Sequence, residues 1–249
     1  MAGAILVNDW SMTPPPVPVL LHGYLGFVQR GPIRYFRGIS QALDRVGVRC
    51  LMPEVPAAGT IAERAEALAH QLLQSNNPAF SLFAHSMGGL DARYLIRFLD
   101  PDKRIKHLLT VGTPHQGSPV ATWFLESPRL IPAWIRKRGQ PGLGELTPEA
   151  RLAMPIPDRE DVVYASYAGC RPMHELPFWL RPYARLIPTE NDGLVSVDSA
   201  KWGKFYGKLH ADHFELPGWS LDLPNARAAR PFDHLDFWTR AVTDKLVVK

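Results

Sequence analysis

Ser86 lies in Ala84-His-Ser-Met-Gly-Gly89, between the apolar run Ala79-Phe-Ser-Leu-Phe-Ala84 and a helix-like stretch from Met87 to Leu99. A serine on a tight strand-to-helix turn is lifted above its sheet, and small residues two before and two after it let the two backbones pass closely. Ala84 and Gly88 occupy those two places. A free hydroxyl is a weak nucleophile, so it needs a base beside it and a carboxylate to orient the base. The late chain offers both. Glu190-Asn-Asp-Gly-Leu-Val-Ser196 sets Asp192 in a turn beside Gly193, and His210-Ala-Asp-His-Phe-Glu-Leu-Pro217 carries His213. The two residues are 21 positions apart, which suits neighbouring loops at one end of a sheet, and the order Ser, Asp, His is the one this architecture uses. The chemistry such a set can perform is acyl transfer.

A carbonyl attacked by serine becomes an oxyanion that needs two pre-aimed N–H donors. The residue after the nucleophile and a loop after an early strand supply them in this architecture, which points to the backbone N–H groups of Met87 and Tyr24, the latter in Leu20-Leu-His-Gly-Tyr24. His22 reads as a loop-holding residue. Other residues compete for the remaining roles. His210 would serve as base if its turn were shifted, and Asp198 and Asp91 are alternative acids, although Asp91 on the helix after Ser86 reads as a structural partner. His234, in Asp233-His-Leu-Asp236, falls in the final helix. A metal site at His210, Asp212 and His213 is the weakest of these readings.

The elements that must position these residues alternate. Strands are expected at 17–21, 48–52, 79–84, 105–111, 162–169 and, less clearly, 204–209. Helices are expected at 32–46, 61–75, 87–99 and 232–247. Such alternation predicts an α/β fold with a mostly parallel, doubly wound sheet, and the strands lack period-2 patterning because both faces are covered. The pattern breaks at 117–160, a Pro- and Trp-rich stretch without strands. An insertion there, after the strand that follows the nucleophile helix, lies above the carboxyl ends of the strands and reads as a helical or irregular cap. Trp123, Phe124 and Trp134 are its candidate substrate-binding residues, and Arg136-Lys-Arg138 is a candidate for transient contact with lipid headgroups.

The chain of 249 residues reads as one domain, 1–249, with 46% hydrophobic residues and a net charge of +4, which excludes a disordered polypeptide. No basic block is long enough to follow a phosphate backbone, so nucleic acid is not an expected partner. No apolar run suits a transmembrane segment, and the N-terminus makes a poor signal peptide, so the expected location is cytoplasmic, a processed secreted form being the alternative. Cys50 and Cys170 sit in apolar runs and read as free, buried thiols, a bridge between the two being the alternative.

The chain resembles the bacterial triacylglycerol lipases of the α/β-hydrolase superfamily. The resemblance rests on Leu21-His-Gly-Tyr-Leu-Gly26, Ala84-His-Ser-Met-Gly-Gly89, Thr113-Pro-His-Gln-Gly-Ser118, Asn191-Asp-Gly-Leu-Val195 and Asp212-His-Phe-Glu215, in that order. It implies an α/β-hydrolase fold and a serine carboxylic-ester hydrolase acting on acyl esters or acylglycerols, with Ser86 as nucleophile, Asp192 as acid and His213 as base. A thioesterase or polyester hydrolase using the same triad, and a catalytically silent binding protein on the same fold, are the alternatives. No cofactor is required. The resemblance also allows a structural calcium ion held by Glu215, but no companion carboxylate earlier in the chain matches, and Cys50 and Cys170 do not fit the disulfide some relatives carry.

Overall fold

The computed structural model describes residues 14–127, 140–220 and 232–243. The chain enters through strand β1 (Val17–Leu21), a short antiparallel hairpin of β2 (Gln29–Arg30) and β3 (Ile33–Arg34), and helix α1 (Ile39–Arg45). Helix α2 (Ile61–Leu73) follows, begun by a capping box in which the Thr60 side chain accepts from Glu63 N–H and the Glu63 carboxylate accepts from Thr60 N–H. Next come β4 (Phe80–His85), α3 (Gly88–Tyr94) with a π-helical continuation over Leu95–Leu99, and β5 (Ile105–Val111). Among the described residues of the 117–160 region there are three short helices: α4 (Pro119–Glu126), α5 (Gln140–Gly144) and α6 (Pro148–Ala153). The remainder is β6 (Val163–Gly169), α7 (Arg181–Ala184), α8 (Val197–Ala200), β7 (Lys204–Leu209) and α9 (His234–Thr243).

Five strands form one parallel sheet in the order β1-β4-β5-β6-β7. This is the α/β-hydrolase architecture anticipated above. Strand β4 is buried along its whole length, and its side chains divide between two cores: Phe80, Leu82 and Ala84 pack with α2 and α3, whereas Phe83 packs with α1 and α9. Covering both faces of a sheet requires apolar residues at odd and even positions alike, which explains the continuous hydrophobic run.

Local expectations failed in two places. The helix expected at 32–46 begins only at Ile39, because Gly31 (φ 59°) and Pro32 turn the β2–β3 hairpin and Gly38 (φ 73°) starts the helix from a left-handed conformation. The strand expected at 48–52 shrinks to a single parallel bridge between Leu51 and Val19, with Pro53 unable to donate to a longer ladder. The helix expected at 87–99 is present, α-helical over Gly88–Tyr94 and π-helical over Leu95–Leu99. Among the described residues the 117–160 region contains no strand, as expected.

Candidate active site

The site stands at the carboxyl end of β4. Ser86 has φ 56°, a left-handed conformation that a serine adopts only when its surroundings enforce it, and the turn is held by Ser86 N–H donating to Val111 O (3.1 Å) and Thr113 Oγ1–H donating to Ser86 O (2.7 Å). Space is equally restricted. A Cβ on Gly23 would lie 2.7 Å from Ser86 Cβ, and one on Gly88 would lie 2.8 Å from His22 O. The loop after β1 can therefore pass the nucleophile only with glycine at these positions.

Ser86, Asp192 and His213 meet. Ser86 Oγ is 3.0 Å from His213 Nε2, and His213 Nδ1 is 2.8 Å from Asp192 Oδ2. Asp192 is fully buried, and its other oxygen accepts from Leu194 N–H (3.0 Å) and Val195 N–H (2.7 Å). With both oxygens committed, the carboxylate can orient the imidazole in one direction only. The two loops are joined through the backbone as well, by His213 N–H donating to Asp192 O at 2.9 Å.

The competing residues are placed elsewhere. His210 Nε2 lies 2.7 Å from Glu175 Oε2 on the surface, Asp198 pairs with Lys201 at 2.7 Å, and His234 Nε2 lies 2.9 Å from Arg37 O. His22 donates from Nδ1 to Gly23 O (3.0 Å) and accepts at Nε2 from Val55 N–H (3.4 Å). Burial and the Arg64 guanidinium lower its pKa to about 4, so it remains neutral and holds the loop.

Asp91 binds Arg64, a fully buried side chain whose guanidinium lies 2.8 Å from Asp91 Oδ2 and donates to the carbonyls of His22 (2.8 Å), Gly23 (3.3 Å) and Pro56 (2.8 Å). Fixing the carbonyls of residues 22 and 23 fixes the peptide planes that lead to Tyr24 N–H. Burial pushes the Asp91 carboxyl up to about 7 against the opposing pull of Arg64. On the other side of the same loop, Gly23 N–H donates to the Tyr35 hydroxyl (3.1 Å), which lies 2.6 Å from His85 Nδ1. Burial, and the proximity of His213, keep His85 far below the usual imidazole range, so its neutral ring accepts the phenol proton. Tyr35 and Arg64 carried little sequence signal, although Arg64 stands out as a cation on the otherwise apolar Ile61, Ala65, Leu68 face of α2.

An apolar cavity of about 630 Å³ opens beside Ser86 and His213. The 117–160 region contributes Val120, Ala121, Phe124, Leu143 and Leu146 to its walls, and the segment before β7 contributes Trp179, Leu180 and Tyr183, which sequence reasoning missed. Tyr24 lines it too. Trp123 does not: it packs edge-on against Phe124 (5.1 Å) and Tyr183 (5.4 Å) and supports the wall from behind. Trp134 and Arg136-Lys137-Arg138 lie outside the described residues.

The donor set around Glu215 does not fit calcium. Its carboxylate is 2.9 Å from the Arg171 guanidinium and accepts from Asp212 N–H at 3.0 Å. A cation already fills the place where a hard metal ion would need several oxygen ligands. Among the described residues no group of three or more His, Cys, Asp or Glu is gathered to hold a metal. Cys50 and Cys170 are free and half-buried.

No protein-family model matches the chain. The chain is 30% identical to triacylglycerol lipase 2 of Saccharomyces cerevisiae over 87% of its own length and 74% of that protein. It belongs to the triacylglycerol lipase family. It is also 35% identical to the triacylglycerol lipase of Pseudomonas fragi, over 46% of this chain and 40% of that one. The solved structures similar to this family member include a metagenomic carboxyl esterase (TM-score 0.74, 20% identity, 93% of this chain and 76% of that one) and the Staphylococcus hyicus lipase (TM-score 0.70, 16% identity, 95% and 97%). At those identities the likeness is one of fold. The lipase-family chain is a carboxylic-ester hydrolase. Among its described residues no helix is long and apolar enough to cross a membrane.

Proposed function

We propose that this hydrolase cleaves acyl esters through an acyl-enzyme on Ser86, with His213 as general base and Asp192 as the carboxylate that orients it. The observation that carries the reading is the contact chain from Ser86 Oγ to His213 (3.0 Å) to Asp192 (2.8 Å) at the edge of an apolar cavity. His213 Nδ1–H donates to Asp192, so neutral Nε2 is left to take the Ser86 proton as Oγ attacks the ester carbonyl carbon. The N–H groups of Met87 and Tyr24 receive the oxyanion. His213 then returns the proton to the departing alkoxide, and water repeats the sequence on the acyl-enzyme.

The acyl chain occupies the cavity, since its walls offer apolar contact to a hydrocarbon and few partners to a charged peptide. Residues 117–160 act as the cap over it, and Arg136, Lys137 and Arg138 supply transient attraction to anionic lipid surfaces. The test is labelling by a fluorophosphonate together with hydrolysis of p-nitrophenyl esters from acetate to palmitate and of emulsified triglyceride. Covalent labelling at Ser86, lost with all turnover in Ser86→Ala, is the expected result. Labelling that persists in Ser86→Ala, or turnover confined to thioesters, refutes the reading.

A further inference from the structure

We propose that Arg171 is a positioning residue: its buried guanidinium balances the two carboxylates that flank His213, and so holds the base loop in its reactive geometry without a metal ion. The inference rests on the triad reading above. Arg171 follows β6 by two residues, and its backbone N–H donates to Asn191 O (3.0 Å), next to Asp192. Its side chain, 1% exposed, reaches the other loop, with Nη1 2.9 Å from Glu215 Oε2 and 3.6 Å from Asp212 Oδ2. Its Nε is 3.9 Å from Glu175 Oε2, which also takes His210. One residue thus joins the acid loop through its backbone and the base loop through its charge.

Asp212 and Glu215 build the turn that presents His213. Asp212 Oδ1 accepts from Phe214 N–H (2.8 Å) and Glu215 N–H (3.0 Å), while Glu215 Oε2 accepts from Asp212 N–H. In these three bonds Asp212 Oδ1 and Glu215 Oε2 accept, as the oxygens of ionised carboxylates do. Both are also nearly buried, and two like charges so placed cannot stay ionised unless a cation stands between them. Burial and the neighbouring Glu215 raise the Asp212 pKa, and the Arg171 guanidinium opposes that rise. Without the guanidinium one of the two takes up a proton, an acceptor of the turn becomes a donor, and His213 moves. Arg171 itself does not line the cavity, so substrate binding is separable from its role.

The experiment compares wild type, Arg171→Met, Arg171→Lys and the charge-neutral triple variant Arg171→Met/Asp212→Asn/Glu215→Gln on a soluble p-nitrophenyl ester. Arg171→Met should lower kcat by roughly 30- to 100-fold, as expected for a displaced catalytic group, with KM within about twofold. Arg171→Lys should recover to within about fivefold of wild type, because it restores the charge though not the planar fork. The triple variant should recover to within about tenfold, since an uncharged cluster needs no cation. EDTA should leave the wild-type kcat and Tm unchanged. A kcat for Arg171→Met within about threefold of wild type overturns the proposal. So does a loss that neither Arg171→Lys nor the triple variant repairs, or a wild type that EDTA weakens. Where Arg171→Met does not fold, the other two variants decide, and a triple variant that also fails to fold counts against charge balance. Fluorophosphonate labelling of the wild type at Ser86 separates this outcome from failure of the triad reading.

Discussion

Two loops flank Ser86, and each is backed by a buried arginine in a different way. Behind the loop after β1, Arg64 meets one carboxylate, Asp91, and spends its other donors on backbone carbonyls of residues 22, 23 and 56. Behind the histidine loop, Arg171 faces Glu215 and Asp212, with Glu175 farther out. Within 4 Å the arginine of the first side faces one carboxylate, whereas that of the second faces three. The mechanism proposed above separates charge between these sides, with an oxyanion received near Tyr24 and Met87 and an imidazolium formed at His213. The difference teaches that, under that mechanism, the two sides have separate tasks: one fixes the peptide planes that lead to the anion donors, and the other keeps the turn of the base rigid.

Breaking the histidine side has the largest expected consequence. Asp192→Asn should lower kcat by about 10⁴-fold with little change in KM, because the amide no longer enforces the imidazole tautomer. Steady-state kinetics on a soluble ester measures this, and a loss under about tenfold would assign the acid elsewhere.

On the opposite side, Arg64→Met should destabilise the fold by about 3–5 kcal/mol, the usual cost of leaving a buried charge without its partner. Asp91, already pushed up to about 7, can escape by taking a proton, so urea unfolding should show a smaller loss at pH 5 than at pH 8. Equal losses at both values would mean that the carbonyl contacts, and not Asp91, account for the role of Arg64.

Acid should expose the first side by a different route. His22 titrates at about 4 when folded and near 6.5 when unfolded, so between those values the unfolded chain binds more protons and stability falls as pH drops. The contribution is at most about 3 kcal/mol, and His85 and His115, also lowered by burial, act in the same direction. Between pH 7 and pH 5 the urea midpoint of His22→Asn should move less than that of wild type. An unchanged difference would acquit His22.

The smallest effects belong to the cavity that both sides share. Phe124→Ala should flatten the rise of kcat/KM with acyl length, which for a buried methylene is about 0.8 kcal/mol, or about fourfold. Trp123→Ala should act in the same direction but more weakly, because Trp123 touches the wall and not the chain. Identical length profiles for Trp123→Ala and Phe124→Ala would remove that distinction.

What was readable in the chain was local. The elbow around Ser86 is a matter of small neighbours and a strand followed by a helix, and Asp192 and His213 each sit in turns whose residue types announce them. Elements failed where a tertiary or turn constraint outweighed periodicity. Ile33 and Phe36 have helical spacing with Ile39 and Leu43, yet Gly31-Pro32 and Gly38 divide the stretch, and Ile33 ends in a hairpin at the cavity rim.

The alternation of elements and short motifs marked the α/β class and the three residues that meet, because a strand-to-helix turn and a loop residue are legible from their own neighbours. The resemblance to the lipases supplied the reaction. Only the tertiary structure decided what stands behind those residues. Tyr35 reaches His85 across 50 positions, Arg64 reaches Asp91 across 27, and Arg171 reaches Glu215 across the gap between two loops. It also decided that Glu215 faces a guanidinium and that Trp123 lies behind the cavity wall. A buried charge must find its partner wherever the fold brings one, and no spacing within a single segment encodes that choice.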